Sequence, residues 1–246
     1  AKTNDILETA IANQVVGIAM TVWDDDAFDE IVCKAMDAGI PVVLHNIDDS
    51  QRGKGNCRMA YVGQFFIETG ETLGERMIAE HGLKAGDHVF TPVEFPEAVY
   101  AVQRHEGVNN AITANGGTTE ILGTGTDHSE ALNIMVQYLL GHPETKAVIG
   151  LGSTPTSVAV RAVEEAGLDI PVGGYDITPE ILDNIANGSL TATVDQQPYH
   201  QGYMSVTMVA QYLKYGLLPA DMNTGGSGLV DKSNVESAFK WAGITR

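Results

Sequence analysis

Residues 146–176 read KAVIGLGSTPTSVAVRAVEEAGLDIPVGGYD. A short apolar run, 146–151, ends in a glycine-rich turn. A helical segment follows, and a second apolar run closes on Tyr175 and Asp176. Thr154 followed by Pro155 has the pattern of an N-cap and a first-turn proline, which starts the helix there. The two runs are nearly continuous in apolar residues rather than alternating. Strands of that kind are buried on both faces and belong to parallel sheets.

The same unit recurs along the chain. The run VVGIAMTV (15–22) leads into a helix over 25–39, where Phe28, Ile31, Val32, Ala35 and Met36 fall at helical spacing. Asp24, Asp25 and Asp26 crowd its start, where the helix dipole favours anions. Gly39 supplies its stop, and IPVVLHN (40–46) is the next strand. Thr178 and Pro179 repeat the cap pattern ahead of a helix over 178–188. Further helices are expected over 97–112 and 128–141. Strands are expected at 15–22, 41–46, 58–63, 88–93, 119–124, 146–151, 170–175 and 190–195. Strands alternating with helices define an α/β, doubly wound architecture with parallel sheets. Eight strands fit either one broad sheet or two smaller ones.

The chain has 246 residues, with 14 Lys and Arg against 32 Asp and Glu, a net charge of −18. Such a surface repels phosphate backbones and anionic lipid, so no nucleic-acid partner is expected. No stretch reaches the ~18 apolar residues of a membrane span, so no direct membrane insertion is expected either. Cys33 and Cys57 are the two cysteines. Two buried free thiols are the simpler expectation, and a disulfide, fitting an oxidising compartment, is the alternative.

In parallel α/β sheets, ligands bind beyond the carboxyl ends of the strands. Those ends supply Trp23 and Asp24; His45, Asn46 and Asp48; Glu94; Thr126 and Asp127; Ser153 and Thr154; Tyr175 and Asp176; and Asp195 and Gln196. Carboxylates and amides pair with neighbouring hydroxyls, and aromatic faces cover the apolar face of a sugar ring. Taken singly, Asp24, Thr154 and Thr178 read equally well as helix caps. A GxxxxGK[ST] phosphate loop, a G-x-S-x-G elbow and an HExxH pair are all absent. No metal site and no cofactor are expected. Glu94 and Asp176 form a conceivable acid–base pair.

The segment VVGIAMTVWDDDAFDEIVCKAMDAGIPVVLHNID, with G-Y-D-x-T-P-E (174–180) and G-x-L-T-A-T-V-x-Q-x-P (188–198), resembles periplasmic sugar-binding proteins of the ribose-binding type. The resemblance covers nearly the whole chain. It implies two Rossmann-like lobes joined by a three-segment hinge, with residues 1–63 and 197–225 in the N-terminal lobe and 64–196 and 226–246 in the C-terminal lobe. The hinge crossings would fall near 63–64, near 196–198, and in the glycine-rich 223–228. It also implies a non-enzymatic, periplasmic and monomeric solute-binding component of an ABC importer. Such a component would hold a small sugar in the interlobe cleft and hand it to a membrane permease. An effector domain of a sugar-responsive repressor, or of a chemosensory system, is the alternative.

By position, the resemblance assigns sugar binding to Asp176, Gln196, Asn46 and Asp48. Tyr175, Trp23, Glu94, Ser153, Arg104 and Tyr100 are further ligand candidates. Gly152 and Ser153 replace the Asn-Asp pair of ribose binders, and Val102 stands at the position of a ligand arginine. These departures point away from ribose, toward a modified pentose of the methylthioribose kind or a polyol. The family opens with a strand–helix–strand unit of about 50 residues that has no counterpart here, judged by the usual size of a domain. The N-terminal lobe is therefore expected to be incomplete, with strand 15–22 as an open edge.

Overall fold

The computed structural model describes residues 2–225 and 228–246. Along the chain run α1 (Lys2–Ala12), β1 (Ile18–Met20), α2 (Asp25–Asp37), β2 (Val42–Asn46) and β3 (Ala60–Gly63). Then come α3 (Phe66–His81), β4 (His88–Val93), α4 (Val99–Ala114), β5 (Thr118–Gly123) and α5 (His128–Gly141). These are followed by β6 (Thr145–Ile149), α6 (Ser153–Glu165), β7 (Val172–Tyr175), α7 (Pro179–Asn187) and β8 (Ala192–Val194). The chain finishes with α8 (Pro198–Tyr215), β9 (Met222–Asn223), β10 (Leu229–Asp231) and α9 (Val235–Trp241).

The chain divides into two units. Unit 1 holds the described residues up to Gln64 together with Gln197–Thr224. Unit 2 holds Phe65–Gln196 and the described residues from Gly225 onward, Thr245 excepted. The chain thus passes between units at 64/65, 196/197 and 224/225. Residues 226 and 227, within the glycine-rich segment expected to form a crossing, lie outside the described residues.

Unit 1 is built on a parallel sheet of order β1-β2-β3-β9. One face of α2 buries Phe28, Ile31, Val32 and Ala35, the residues that recur at helical spacing. Val43, Ala60 and Val62 pack against Met208 and Val209 of α8. Strand β1 lies at the sheet edge, and its three residues are only partly buried. The Asp24 carboxylate caps α2 by accepting from the Ala27 N–H, 3.3 Å away.

Unit 2 carries a sheet of order β10-β8-β7-β6-β4-β5, parallel except for the antiparallel β10. Its central strands explain their own apolar runs. Phe90 and Val148 face a layer containing Leu132, Met135, Leu139 and Ile181. Val89, Ala147 and Ile149 face the opposite layer, with Leu73, Met77, Val108 and Ile112. Side chains alternate between two covered faces, so apolar residues dominate these strands, and the buried Thr91 is accommodated by donating its hydroxyl to the Glu120 carbonyl at 2.7 Å. Helices α3 and α4 approach closely through Gly70 and Gly107, since a Cβ on Gly107 would collide with the Ile67 carbonyl.

Two expectations change. Two short strands, β9 and β10, add to the eight expected; both lie in a stretch whose glycines mask any strand signal. The free thiols are replaced by a Cys33–Cys57 disulfide, with a Cα–Cα distance of 5.0 Å. The sequence separation of 24 hid the pairing, because the loop after β2 folds back onto α2. There the Asp25 carboxylate accepts from the Ser50 backbone N–H at 3.1 Å and from its hydroxyl. Closing a loop of that length contributes about 3 kcal/mol. Reduction, or the Cys33→Ser/Cys57→Ser double substitution, is expected to lower Tm by roughly 6–12 °C. Melting curves with and without a dithiol reductant check this, and coincident curves would show that the bridge does not stabilise the fold.

Candidate functional site

In unit 2 the strand ends deliver polar side chains to one locality. The residue after β7, Asp176, adopts a left-handed backbone with φ of 75°. A non-glycine residue holds that conformation only when its surroundings fix it. Here the Thr193 hydroxyl donates to the Asp176 carbonyl at 2.8 Å, and the Asp176 N–H donates to the Val194 carbonyl at 2.9 Å. The Gln196 amide, just beyond β8, donates to the Asp176 carboxylate. Burial raises the Asp176 carboxyl above the ordinary carboxylate range; Arg104 and Gln196 oppose the shift, and Glu94 and Asp195 add to it.

Arg104 projects from α4 and is only 3% exposed. Its guanidinium lies 4.2 Å from the ring centre of Tyr175 and 5.1 Å from those of Tyr100 and Phe66. It donates to the Leu151 carbonyl at 2.8 Å. An arginine held by aromatic faces is oriented as well as charged. Tyr175 is fully buried, with its hydroxyl 3.4 Å from that of Thr69, and burial pushes its phenol up to about 12. It therefore supports Arg104 from beneath and offers no free ring face of the kind expected for a sugar contact.

Glu94 corrects the expected start of α6. The cap residue is Gly152, not Thr154; Ser153 is the first helical residue, and Gly152 has no side chain with which to cap. The Glu94 carboxylate takes that place from another strand. Its Oε1 accepts from the Thr154 N–H at 2.9 Å, and its Oε2 accepts from the Tyr100 hydroxyl at 3.1 Å. Burial, and then the Glu94 charge, raise the Tyr100 phenol above its ordinary value. With both oxygens engaged, Glu94 is poorly placed to act as half of an acid–base pair. A Cβ on Gly152 would land on this carboxylate. Gly152→Ala is expected to cost about 1–3 kcal/mol, and most of that loss should disappear in a Glu94→Ala background, where the clash is gone. Denaturant midpoints for the four proteins check this; equal losses in both backgrounds would contradict it. Ser153 is partly buried, and its carbonyl accepts from the Ser157 hydroxyl at 2.7 Å.

Unit 1 places its candidates differently. Asn46 ends β2 with φ of 68°, and its amide donates to Gln201 Oε1 at 3.3 Å. Asp48 is 9% exposed and spent on Arg58: Nε and Nη2 each reach a carboxylate oxygen at 2.6 Å. Burial pushes its carboxyl up to about 6, against the pull of Arg58. Arg58 also grips Asp221 at 2.7 and 2.9 Å, and Asp221 accepts from the Tyr61 N–H. The geometry therefore makes Asp48 part of an ion-pair network rather than an open hydroxyl acceptor. Trp23 is 50% exposed and meets Phe28 edge-on, with ring centres 4.5 Å apart. Asp49 closes the turn after β2 by accepting from the Gln51 and Gly53 N–H groups at 2.6 Å.

Arg58, Asp221 and Gln201 carry no sequence signal of their own, because their partners lie far away along the chain. Among the described residues no group of three or more His, Cys, Asp or Glu could hold a metal ion. None of their helices is long and apolar enough to cross a membrane.

Hydrogen-bonding side chains gathered at the carboxyl ends of parallel strands have the layout of a small-molecule binding site. The chain belongs to the periplasmic binding protein family, whose domain matches residues 1–217. It is 28% identical to the xylose/arabinose-binding protein XylF of Sulfolobus acidocaldarius, over 94% of this chain and 60% of that protein. It is 29% identical to a D-ribose/D-allose-binding protein of Pseudomonas aeruginosa, over 85% of this chain and 66% of that protein. The chain thus spans 60% and 66% of the length of these two curated relatives. Its fold also matches the crystal structure of a carbohydrate transporter from Acidothermus cellulolyticus in complex with myo-inositol. That match has a TM-score of 0.86 and 29% identity, and covers 100% of this chain and 84% of that one.

Proposed function

We propose that this chain binds one small neutral sugar or polyol and serves, without catalysis, as a periplasmic solute-binding component of an ABC importer. The observation that carries this reading is the set of Asp176, Gln196 and Arg104 in unit 2. A carboxylate fixed by an amide, with an oriented guanidinium close enough to act on its charge, offers acceptors and donors to sugar hydroxyls. The family, and the xylose, arabinose, ribose and allose named for its relatives, support a sugar ligand. The disulfide fits an oxidising compartment. The departures from the ribose-binding pattern at Gly152, Ser153 and Val102 favour a modified pentose or a polyol over ribose.

A thermal-shift panel of pentoses, methylthioribose, hexoses and inositols tests the proposal. At a hundredfold excess over Kd the true ligand adds about 2.7 kcal/mol and raises Tm by several degrees; a flat panel would count against sugar binding.

Affinity should also depend on pH. The ionised Asp176 carboxylate accepts from hydroxyls more strongly than the neutral acid, and its carboxyl titrates above the usual carboxylate range. The Kd should therefore rise as pH falls, beginning above the pH at which an exposed aspartate would protonate. Titration calorimetry across that range checks this, and a pH-independent Kd would remove Asp176 from the site.

A further inference from the structure

The three places where the chain leaves or enters unit 1 share one hydrogen-bond network with Asn46. The Tyr61 hydroxyl lies 2.7 Å from the Asn46 carbonyl and 3.0 Å from the carbonyl of Gln64, the last residue before the first crossing. The Gln201 side chain, 1% exposed on α8, joins Asn46 to the third crossing. Its Oε1 accepts from Asn46 Nδ2 at 3.3 Å, and its Nε2 donates to the Thr224 hydroxyl at 3.1 Å. Gln197, the first residue after the second crossing, donates from Nε2 to the Thr224 carbonyl at 2.8 Å. The Thr224 N–H returns to the Gly63 carbonyl at 2.9 Å. The backbone is drawn in equally tightly: Asn46 and Gln197 both have positive φ, and a Cβ on Gly63 would collide with the Tyr61 hydroxyl.

We infer that Gln201 and Tyr61 are positioning residues that lock Asn46 and the three crossings into one rigid block, so that an interaction at Asn46 is felt by all three crossings. The physical basis is satisfaction. Gln201 is buried and its amide bonds side chains 155 and 23 residues away, so removing either partner costs a buried polar group one of its hydrogen bonds. A network of this kind moves as a unit or not at all. The consequence for ligand binding rests on the proposed sugar-binding role, with Asn46 as the contact in unit 1; the rigidity itself does not.

The test uses the full chain and three substitutions: Gln201→Leu, Tyr61→Phe, and Ser205→Ala as a control. Ser205 is equally buried on α8 and donates only to the Gly202 carbonyl. Amide hydrogen exchange without any sugar reads the block directly. Gln201→Leu and Tyr61→Phe should each speed exchange at the Thr224 N–H by roughly tenfold or more, whereas Ser205→Ala should not. A second arm measures Kd for the sugar that gives the largest thermal shift. Gln201→Leu should weaken binding by roughly tenfold in the native background and hardly at all in an Asn46→Ala background. Unchanged exchange at Thr224, or an equal loss of affinity in both backgrounds, overturns the inference. If no sugar binds the native chain but exchange at Thr224 still accelerates, the sugar-binding reading fails and the rigid block stands.

Discussion

Replacing Arg104 by Met is expected to lower Tm by roughly 6–20 °C near pH 7.5 and by distinctly less near pH 5. The guanidinium is buried among Tyr175, Tyr100 and Phe66, and its charge acts on Asp176. Methionine fills much of the volume but leaves the Asp176 carboxylate beside Glu94 and Asp195 without that cation. Removing one partner from a buried charge arrangement costs about 3–5 kcal/mol, which gives the stated shift at 2–4 °C per kcal/mol for a chain of this size. The sign of the pH effect follows from Asp176. Its folded-state carboxyl already titrates above the unfolded value, and losing Arg104, which pulls it down, raises it further. A group whose folded pKa is raised destabilises the fold when ionised, and the penalty fades as pH falls through that raised value. Melting both proteins at the two pH values measures the difference. An equal Tm loss at both would show that Arg104 acts through packing against the aromatic rings rather than through charge.

Asp176→Ala is expected to weaken sugar binding by at least a hundredfold. Each charge-assisted hydrogen bond to a buried hydroxyl contributes roughly 1.5–3 kcal/mol, and a carboxylate that accepts two of them carries most of the affinity. Alanine keeps the left-handed backbone, where aspartate is better tolerated, and takes the carboxylate away from Arg104 and Gln196, so the Tm of the sugar-free protein should fall as well. Asp176→Asn should separate the effects, keeping the shape, removing the charge and retaining part of the affinity. Calorimetry and melting of the two variants decide this. An Asp176→Ala protein that melts several degrees lower and binds as before would make Asp176 a structural residue.

The parts of this architecture that were legible in the sequence are those written in local pattern. The runs at 88–93 and 146–151 are apolar because Val89 and Phe90, and then Ala147 and Val148, face opposite covered layers. Thr178 caps α7 by accepting from the Ile181 N–H, as the Thr-Pro pair implied. The identical pair at Thr154 and Pro155 does not mark the cap, because a carboxylate 60 residues upstream does the capping and the helix starts two residues earlier. Local propensity cannot register a partner that arrives from another strand.

The same limit explains Asp48 and Asn46. Asp48 sits at a strand end where ligands bind, but Arg58 reaches it through a loop tied down by the disulfide. The Asn46 partner Gln201 lies on a helix for which the spacing gave no functional cue. Strand-end position accounts for which polar residues come together in each unit; how those groups are paired depends on long-range contacts that local pattern does not carry.

The central claim is that a sugar binds and that the unit 2 carboxylate holds it. Isothermal titration of the native chain and of Asp176→Ala, with the panel's best sugar or polyol near pH 7.5, tests it most directly. One bound molecule per native chain, with heat of binding lost in Asp176→Ala, is the predicted result. No heat from the native chain with any sugar or polyol, or equal binding by both proteins, would contradict it.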